Sequence, residues 1–348
     1  MKILSGISAA FLISSTAGCG SGDGSSAPAA PTAPQTTLSV SVPSLALAVS
    51  GQTVYTSSSI QPPLPTGKPR TFTVTNTGSN TATGLGVMPS AVFPLGTSIS
   101  SNTCGSALAA GASCTVTVTP GSGTTHTAGV TSITPVTVSI AGSNTNTATV
   151  SVSVLTYGSV YQGGYVFALD DTTADTGSVG GAVAALTDQS AAVAWGPNGS
   201  SIGGISETST ASSSSCDGKS DGACNTARIK SVSGSDYSSY AASQCDGTIS
   251  GYADWYLPAI CELGYTAVNA SQDCLSQVSP LVQNMRSSLI DTTGSGVAFS
   301  EYSWSSTELA VGPSFAAWIE SFGGSYNGNI DIGKAITSSV RCARKLTN

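Results

Sequence analysis

Residues 147–154 read TATVSVSV, a strict alternation of Thr or Ser with Val or Ala. Successive side chains of a strand point to opposite faces, so this pattern places apolar side chains on one face and hydroxyls on the other. Similar alternation occurs at 38–42, 71–75 and 114–119, and Gly, Asn and Pro separate the runs. Several short strands of this kind predict an antiparallel, all-β sandwich over residues 37–155.

The composition changes from Tyr157 onward, where all four Trp, ten of the eleven Tyr and seventeen of the eighteen acids are found. Eight Lys or Arg lie there too, so this region carries a net charge of −9, which disfavours nucleic acid as a partner. Few helices among several strands favour an α+β domain over 157–348. Local patterns predict strands at 161–169, 181–186, 302–307, 315–322 and 338–345, and helices at 238–245 and 258–269.

The N-terminal residues resemble a bacterial lipoprotein signal. The apolar run Ile3–Ile13 is shorter than the roughly 20 residues that a spanning helix needs. Residues 16–19 read TAGC, similar to the lipobox in which small residues precede a cysteine that becomes acylated. We therefore expect a signal peptide at 1–18, a lipid on Cys19 and a flexible linker over 19–36. We expect the protein to lie in the cell envelope, anchored by lipid at the outer membrane and exposed at the cell surface. The alternative to the lipoprotein signal is an ordinary signal peptide with a free Cys19.

Nine cysteines are present, and setting Cys19 aside leaves an even number. In an exported protein an even number favours disulfides over free thiols. We pair Cys104 with Cys114, since they are alone in the first half. We pair Cys216 with Cys224 because they are close in sequence.

The sequence leaves open how the other four cysteines of the second half pair with one another. The preferred arrangement joins Cys245 to Cys261 and Cys274 to Cys342. Zinc binding is an alternative use of clustered cysteines, but no CxxC pair occurs.

Two resemblances to known families add to these patterns. Residues 71–78 (TFTVTNTG) and 108–116 (LAAGASCTV) resemble immunoglobulin-like repeats of the Hydin type, which act as spacers or adhesion units. Four ordered segments resemble the domain named for the C-terminal region of the Legionella collagen-like protein, a surface-protein family with a C-type-lectin-like fold. These segments are GGYVFALD at 163–170, DWYLPAICEL at 254–263, YSWSSTE at 302–308 and VRCAR at 340–344.

The second resemblance implies a non-enzymatic adhesin that binds a glycan or an extracellular protein, with a possible homo-oligomer. The candidate ligand-binding residues lie in its motifs or in the strand between them: Trp304, Glu308, Trp318, Arg341 and Arg344. Each has a structural alternative. The Trp side chains fit a position in the hydrophobic core, and Glu308 fits a local cap or ion pair. The Arg side chains fit an inward ion pair with a carboxylate.

Asp170, Asp171 and Asp175 follow the first strand of the second half, and oxygen ligands at this spacing are candidates for calcium. No calcium-loop pattern with its glycine and final glutamate is present, so a solvated turn is the alternative.

Enzyme motifs are weak. Residues 199–203 (GSSIG) fit the Gly-x-Ser-x-Gly pattern, but the one histidine, His126, belongs to the other half. We therefore expect no enzyme activity. A carbohydrate-active hydrolase with a carboxylate pair and a purely structural envelope protein remain the alternatives.

Overall fold

A computed structural model describes residues 36–347, apart from 53, 128–129, 131, 267–273, 293–295 and 324–327, and apart from the side chains of 235–236. The predicted signal peptide, Cys19 and most of the linker lie outside the described residues. The structure is mostly β-sheet, with 37% of residues in strands and 11% in helices. This strand content exceeds the roughly 20–25% of an average globular protein, which confirms the β-rich character expected from the alternating runs.

Two four-stranded sheets form the first half. One has the order β1 (Leu38–Val40), β3 (Arg70–Asn76), β8 (Ser113–Thr119) and β6 (Ser98–Asn102). The other has the order β2 (Ser44–Ala48), β10 (Ala148–Leu155), β9 (Val136–Ala141) and β5 (Gly86–Pro89). A two-stranded ribbon of β4 (Ala82–Thr83) and β7 (Ala107–Leu108) accompanies them.

The alternating side chains of these strands build one core. Phe72 and Val74 from β3 and Val116 from β8 are fully buried, and they pack in the same cluster as Val150 and Val152 from β10. Burying one such side chain contributes about 1.5–3 kcal/mol, so the apolar face of each strand fixes which way the strand is turned.

The second half contains two larger sheets. The four-stranded sheet has the order β11 (Val160–Tyr161), β12 (Gly164–Asp170), β13 (Gly180–Ala185) and β21 (Ala343–Lys345). The five-stranded sheet has the order β14 (Ser190–Ala194), β20 (Thr337–Val340), β17 (Tyr302–Glu308), β18 (Ala316–Ser321) and β19 (Gly328–Gly333). A small hairpin joins β15 (Leu275–Ser276) to β16 (Ser279–Pro280).

Helical segments are short. They are α1 (Gly222–Ser233), α2 (Ile260–Leu263), two 3₁₀ segments (Gly234–Ser239 and Ala241–Cys245) and a π-helical turn (Arg286–Ile290). None of the helices in the described part of the chain is long and apolar enough to cross a membrane.

Three sequence predictions need correction here. The strand predicted at 338–345 is two strands, β20 and β21, which belong to different sheets. The helix predicted at 258–269 is helical only over Ile260–Leu263 before the chain leaves the helix at Gly264, and 267–269 lie outside the described residues. The segment predicted as a helix at 238–245 is of the 3₁₀ type.

The hydrophobic core continues across the expected boundary at 155–157. Ala46, Tyr55 and Leu155 belong to the same buried cluster as Trp195 and Trp304 of the second half. The described residues form one compact unit, so the sandwich and the aromatic half are packed together.

Four disulfides are present. Cys104–Cys114 and Cys216–Cys224 confirm the local pairs. The preferred pairing of the other four is wrong, because the bonds are Cys245–Cys342 and Cys261–Cys274.

The reason for the different pairing lies in the packing. Cys245 and Cys342 are both in the large core cluster. Cys261 and Cys274 instead pack with Trp318 in a separate small cluster. Disulfide partners must have Cα atoms within about 7 Å, so the two clusters decide the connectivity.

Candidate ligand-binding surface

Three connecting segments meet at the point where β18 begins and β19 ends. They are residues 195–203 after β14, 309–315 before β18 and 334–336 after β19, and we call them together the loop surface. Backbone hydrogen bonds join them: Gly199 N donates to Ser314 O at 2.8 Å, and Lys334 N donates to Phe315 O at 2.8 Å. Trp195 N donates to Lys334 O at 2.9 Å. The three segments are therefore held in one arrangement.

Three large apolar side chains project from the loop surface into solvent. The exposed fractions are 85% for Val311, 61% for Phe315 and 51% for Ile336. Phe315 is the one aromatic side chain in the exposed class among the described residues. Lys334 is the single charged residue of the three segments, and its side chain is buried. The exposed part of the loop surface is therefore uncharged, and it combines these three apolar side chains with the exposed polar residues Asn198, Ser200 and Ser201.

A buried ion pair supports the loop surface from below. Lys334 Nζ donates to the Glu308 carboxylate and, at 2.7 Å, to Ser200 O. The same ammonium lies 4.5 Å from the ring centroid of Trp195. Burial lowers the pKa of Lys334, and the Glu308 carboxylate acts in the opposite direction. Glu308 also accepts the Ile202 N–H at 3.0 Å, so this predicted ligand-binding residue is committed to internal partners.

The two predicted Trp residues also lie inside the protein. Trp304 is fully buried and donates its Nε1–H to Val193 O at 2.8 Å. Trp318 is 2% exposed, and its Nε1–H donates to Glu207 Oε2 at 3.1 Å. Buried Trp residues need a partner for this N–H, and both have one. The structure therefore places them in the core, as their alternative interpretation held, and not on a ligand-facing surface.

The two predicted Arg residues pair inward with carboxylates. Arg341 donates to Asp188 at 2.5 Å, and its guanidinium lies 4.4 Å from the ring centroid of Phe299. Arg344 donates to both oxygens of Asp254, at 2.6 and 2.9 Å. Both side chains are almost fully buried. Neither guanidinium is on the surface in a position to meet an anionic ligand.

The three candidate calcium ligands each bind donors from the protein. Asp171 is 2% exposed and its Oδ2 accepts backbone N–H groups of residues 66–68 at 2.7–3.1 Å. Asp170 accepts from Thr172, and Asp175 accepts the Thr71 N–H at 2.6 Å. Among the described residues no group of three or more His, Cys, Asp or Glu is placed to hold a metal ion. The structure does not bring these aspartates together as a calcium site.

A cavity of about 280 Å³ lies where the two halves meet, between Gln61 and Pro62 on one side and β12 and β13 on the other. Its wall contains two carboxylates, Asp170 and Glu262, with Lys345 beside them. This volume is slightly below the roughly 300–1,000 Å³ of typical ligand pockets. The cavity is therefore a candidate place for a hydrolytic carboxylate pair.

Hydrogen bonds already occupy the Glu262 carboxylate. Oε1 accepts from the Tyr256 hydroxyl at 3.0 Å and from Lys345 Nζ at 3.1 Å. Oε2 accepts the backbone N–H groups of Gly222 at 3.1 Å and Ala259 at 2.9 Å. A carboxylate offers about four acceptor positions, and these four donors use them. Glu262 therefore joins α1 to α2 and has no free oxygen position for a substrate.

Sequence reasoning missed Phe315 as a surface residue because it was assigned to the start of a strand at 315–322. The preceding Gly312-Pro313 pair is a turn signal. That signal favours a loop that extends to Phe315. In the structure the strand begins at Ala316.

Comparison with known proteins gives little support for any assignment. No family model matches the chain, and no curated protein matches it. Among solved structures, the secreted serine protease VesC from Vibrio cholerae is similar over 32% of this chain and 22% of that protein, with 20% identity and a TM-score of 0.19. This chain therefore covers about a fifth of that protein, and a likeness at this TM-score carries no argument about fold or activity.

Proposed function

We propose that this protein is a non-enzymatic, surface-exposed lipoprotein that binds a glycan or an extracellular protein through the loop surface. In this proposal Cys19 carries the lipid, residues 37–155 form an immunoglobulin-like spacer and residues 157–348 form a C-type-lectin-like binding half. The exposure of Phe315, together with that of Val311 and Ile336 on the same loop surface, is the observation that carries the proposal.

The loop surface has the physical properties of a contact site. Covering a large exposed apolar side chain with a ligand removes apolar surface from water, which is favourable. Patches of exposed apolar groups therefore mark interaction sites. An aromatic ring also provides a flat face for the apolar side of a sugar ring or for a side chain of a partner protein. Because the exposed groups are uncharged and the region carries a net charge of −9, a neutral ligand is favoured over a sulfated polyanion.

Rigidity supports the same conclusion. The buried Lys334–Glu308 pair and the interloop hydrogen bonds hold the apolar side chains in place before any ligand arrives. A surface that is already ordered loses less conformational entropy on binding, which favours affinity.

Three observations support a binding role over catalysis. The Glu262 carboxylate in the cavity is saturated by hydrogen bonds, as described above. The eight cysteines at 104–342 are all in disulfides. His126 forms an isolated bridge with Ile133 in the sandwich half, and it is neither in the three segments of the loop surface nor among the residues that line the cavity.

The test is a binding screen with the full lipidated chain in detergent. Wild-type protein is applied to a glycan array and to a panel of extracellular matrix proteins, with calcium and with a chelator. Phe315→Ala is expected to lose most of the binding that the wild type shows. Val232→Ala is the matched control, since Val232 is also an exposed apolar residue (58%) but lies on α1.

Three results would contradict the proposal. Retention of full binding by Phe315→Ala would remove the loop surface as the site. Absence of binding to every glycan and protein would favour a purely structural envelope role, and hydrolysis of an offered polysaccharide would favour the hydrolase.

A further inference from the structure

The cavity of about 280 Å³ between the two halves has a floor of small side chains. Ala168 on β12 lies opposite Ala182 on β13, and Ala182 lies opposite Lys345 on β21. Residues directly opposite each other on neighbouring strands point to the same face of the sheet. Asp170 is two residues beyond Ala168 and points to that face as well. Asp170 and Lys345 therefore reach the cavity from the two strands that flank β13.

One wall of the cavity is fixed by Gln283, whose side-chain amide uses both of its ends. Oε1 accepts the Tyr157 hydroxyl at 2.7 Å and the Leu169 N–H at 2.8 Å. Nε2 donates to Pro62 O and to Leu169 O, both at 2.9 Å. This wall is thus tied both to the sandwich half and to β12, so the cavity is formed before any ligand enters it.

Asp170 brings to the cavity an acceptor that the protein leaves unused. Its Oδ1 accepts the N–H of Thr172 at 2.9 Å and the hydroxyl of the same residue at 2.6 Å. Within the part of the chain that the structure describes, its Oδ2 accepts no hydrogen bond and no cation pairs with it. The residue is half-buried, and a partly desolvated carboxylate without a partner attracts a cation.

Lys345 brings donors that are only partly used. Its Nζ donates to Glu262 Oε1 at 3.1 Å, whereas an ammonium group has three donors. The side chain is 58% exposed, so the remaining N–H groups are accessible at the mouth of the cavity. The nearby Glu262 carboxylate raises the pKa of Lys345 above its ordinary value, which keeps the ammonium charged at neutral pH.

We propose that this cavity binds a small zwitterion of the amino-acid class, with the ligand's ammonium against Asp170 Oδ2 and its carboxylate against Lys345 Nζ. The two strands that carry these residues are roughly 10 Å apart, because β13 lies between them and neighbouring strands are spaced by about 4.8 Å. Both side chains extend into the cavity and shorten this gap to the span of a small molecule. The volume agrees, since it lies just below the roughly 300–1,000 Å³ of pockets for drug-sized ligands.

A ligand with both charges fits the cavity better than a ligand with one. A cation alone would leave the free N–H groups of Lys345 without an acceptor, and an anion alone would face the Asp170 carboxylate. A zwitterion satisfies both groups and is complementary to the charges at the two ends of the cavity. None of the residues that line the cavity belongs to the loop surface, so this site is independent of the proposed adhesive contact and of the lipid.

Isothermal titration calorimetry with the purified full-length protein in detergent tests the site. The probes are glycine, β-alanine, γ-aminobutyrate and ε-aminocaproate, in which the ammonium and the carboxylate are progressively farther apart. Hexylamine and hexanoate are the single-charge controls, since each retains one end group of ε-aminocaproate and the same chain length.

Two substitutions each remove one charge from the cavity. Asp170→Asn keeps an oxygen that accepts from Thr172, and Lys345→Met keeps the aliphatic part of the side chain. Asp331→Asn and Lys230→Met are the matched controls. Asp331 is exposed on β19, and Lys230 has the same 58% exposure as Lys345 in an ion pair of its own.

We expect at least one amino acid of the series to bind to the wild type. Hexylamine and hexanoate are expected to bind at least about tenfold more weakly, because each lacks one hydrogen bond between charged groups. Asp170→Asn and Lys345→Met are each expected to weaken the best ligand by about tenfold or more, and the two control variants to bind it as the wild type does. A short optimum identifies a free amino acid as the ligand, and a longer one a dipeptide.

Three results would overturn the proposal. Absence of binding by every amino acid of the series removes this ligand class. Binding of hexylamine as tight as that of the best amino acid shows that the site recognises a cation only. Unchanged affinity in Asp170→Asn and Lys345→Met places the bound amino acid elsewhere on the protein. The single-charge probes need no variant, so they decide the proposal even if a substitution prevents folding.

Discussion

Oδ2 of Asp171 lies 2.8 Å from the backbone nitrogen of Gly67, across the junction between the sandwich and the aromatic half. The same oxygen accepts the N–H groups of Thr66 at 2.7 Å and Lys68 at 3.1 Å. Three consecutive backbone donors around one carboxylate form a small anion-binding concavity. The carboxylate that the sequence suggested for calcium is thus bound by the chain itself, and it ties the two halves together.

Replacing this carboxylate tests the junction. Asp171→Ala removes the shared acceptor of three N–H groups, and hydrogen bonds to a charged group contribute about 1.5–3 kcal/mol. We expect the free energy of unfolding in urea to fall by about 2–3 kcal/mol. Asp331→Ala is the control, since Asp331 is exposed on β19. An equal urea midpoint for both variants would show that the contact contributes nothing to stability.

The two disulfides that differ from the sequence prediction should differ in their effect. Cys245–Cys342 closes a loop of 97 residues and Cys261–Cys274 a loop of 13. On the chain-entropy model these restrict the unfolded chain by about 4.7 and about 3 kcal/mol. Cys245→Ala/Cys342→Ala is therefore expected to lose more unfolding free energy than Cys261→Ala/Cys274→Ala, measured by urea denaturation. The opposite order would show that local packing, and not loop length, decides the contribution of each bond.

Some of this fold follows from local sequence. The runs at 71–75 and 114–119 predicted β3 (Arg70–Asn76) and β8 (Ser113–Thr119) almost residue for residue, because alternation alone identifies a strand with one buried face. Helix α1 (Gly222–Ser233) was not predicted, because the sequence there lacks the periodic apolar pattern by which a helix is recognised. Its buried residues are Gly222, Asn225, Thr226 and Ile229, so it has no apolar stripe to give a helical period.

The candidate site was harder to predict because it depends on contacts distant in sequence. Residue type did not reveal that Glu308 would meet Lys334 in the interior, or that Trp318 would face Glu207. The strand predicted at 338–345 is interrupted at Arg341 and Cys342, which bond to the distant residues Asp188 and Cys245. Exposure of Phe315 is likewise a consequence of where the three loops meet, and no single segment encodes it.

The Asp254–Arg344 pair predicts a pH dependence of stability. Hydrogen bonding to Arg344 holds the pKa of Asp254 below its ordinary value of 3.8. The unfolded chain therefore binds a proton at higher pH than the folded chain does, and stability rises with pH between the two pKa values. The contribution is fully present above 3.8 and is lost as the pH falls through the lowered value. Because the Asp254 side chain is 49% exposed, solvent limits it to about 1 kcal/mol or less.

Asp254→Asn measures this contribution. We expect the variant to be less stable than wild type in urea at about pH 6, and the difference to shrink as the pH falls below 3.8 and through the lowered pKa of Asp254. Asp331→Asn is the control, since it makes the same change at an exposed position on β19. A difference between wild type and Asp254→Asn that stays constant over this range would assign the effect to packing and not to ionisation.

The Lys334–Glu308 pair offers the sharpest test of how the loop surface is supported. Lys334→Met leaves the Glu308 carboxylate, 1% exposed, without its cation, and breaking a buried pair in this way costs about 3–5 kcal/mol. The double variant Lys334→Met/Glu308→Gln removes both charges while the Gln oxygen still accepts the Ile202 N–H. We therefore expect the double variant to be more stable in urea than Lys334→Met alone, although it carries one more substitution. Together with wild type and the single variant Glu308→Gln, these two variants form a double-mutant cycle. If the two single losses simply add in the double variant, the two groups are not coupled, and the support of the loop surface must come from its backbone hydrogen bonds instead.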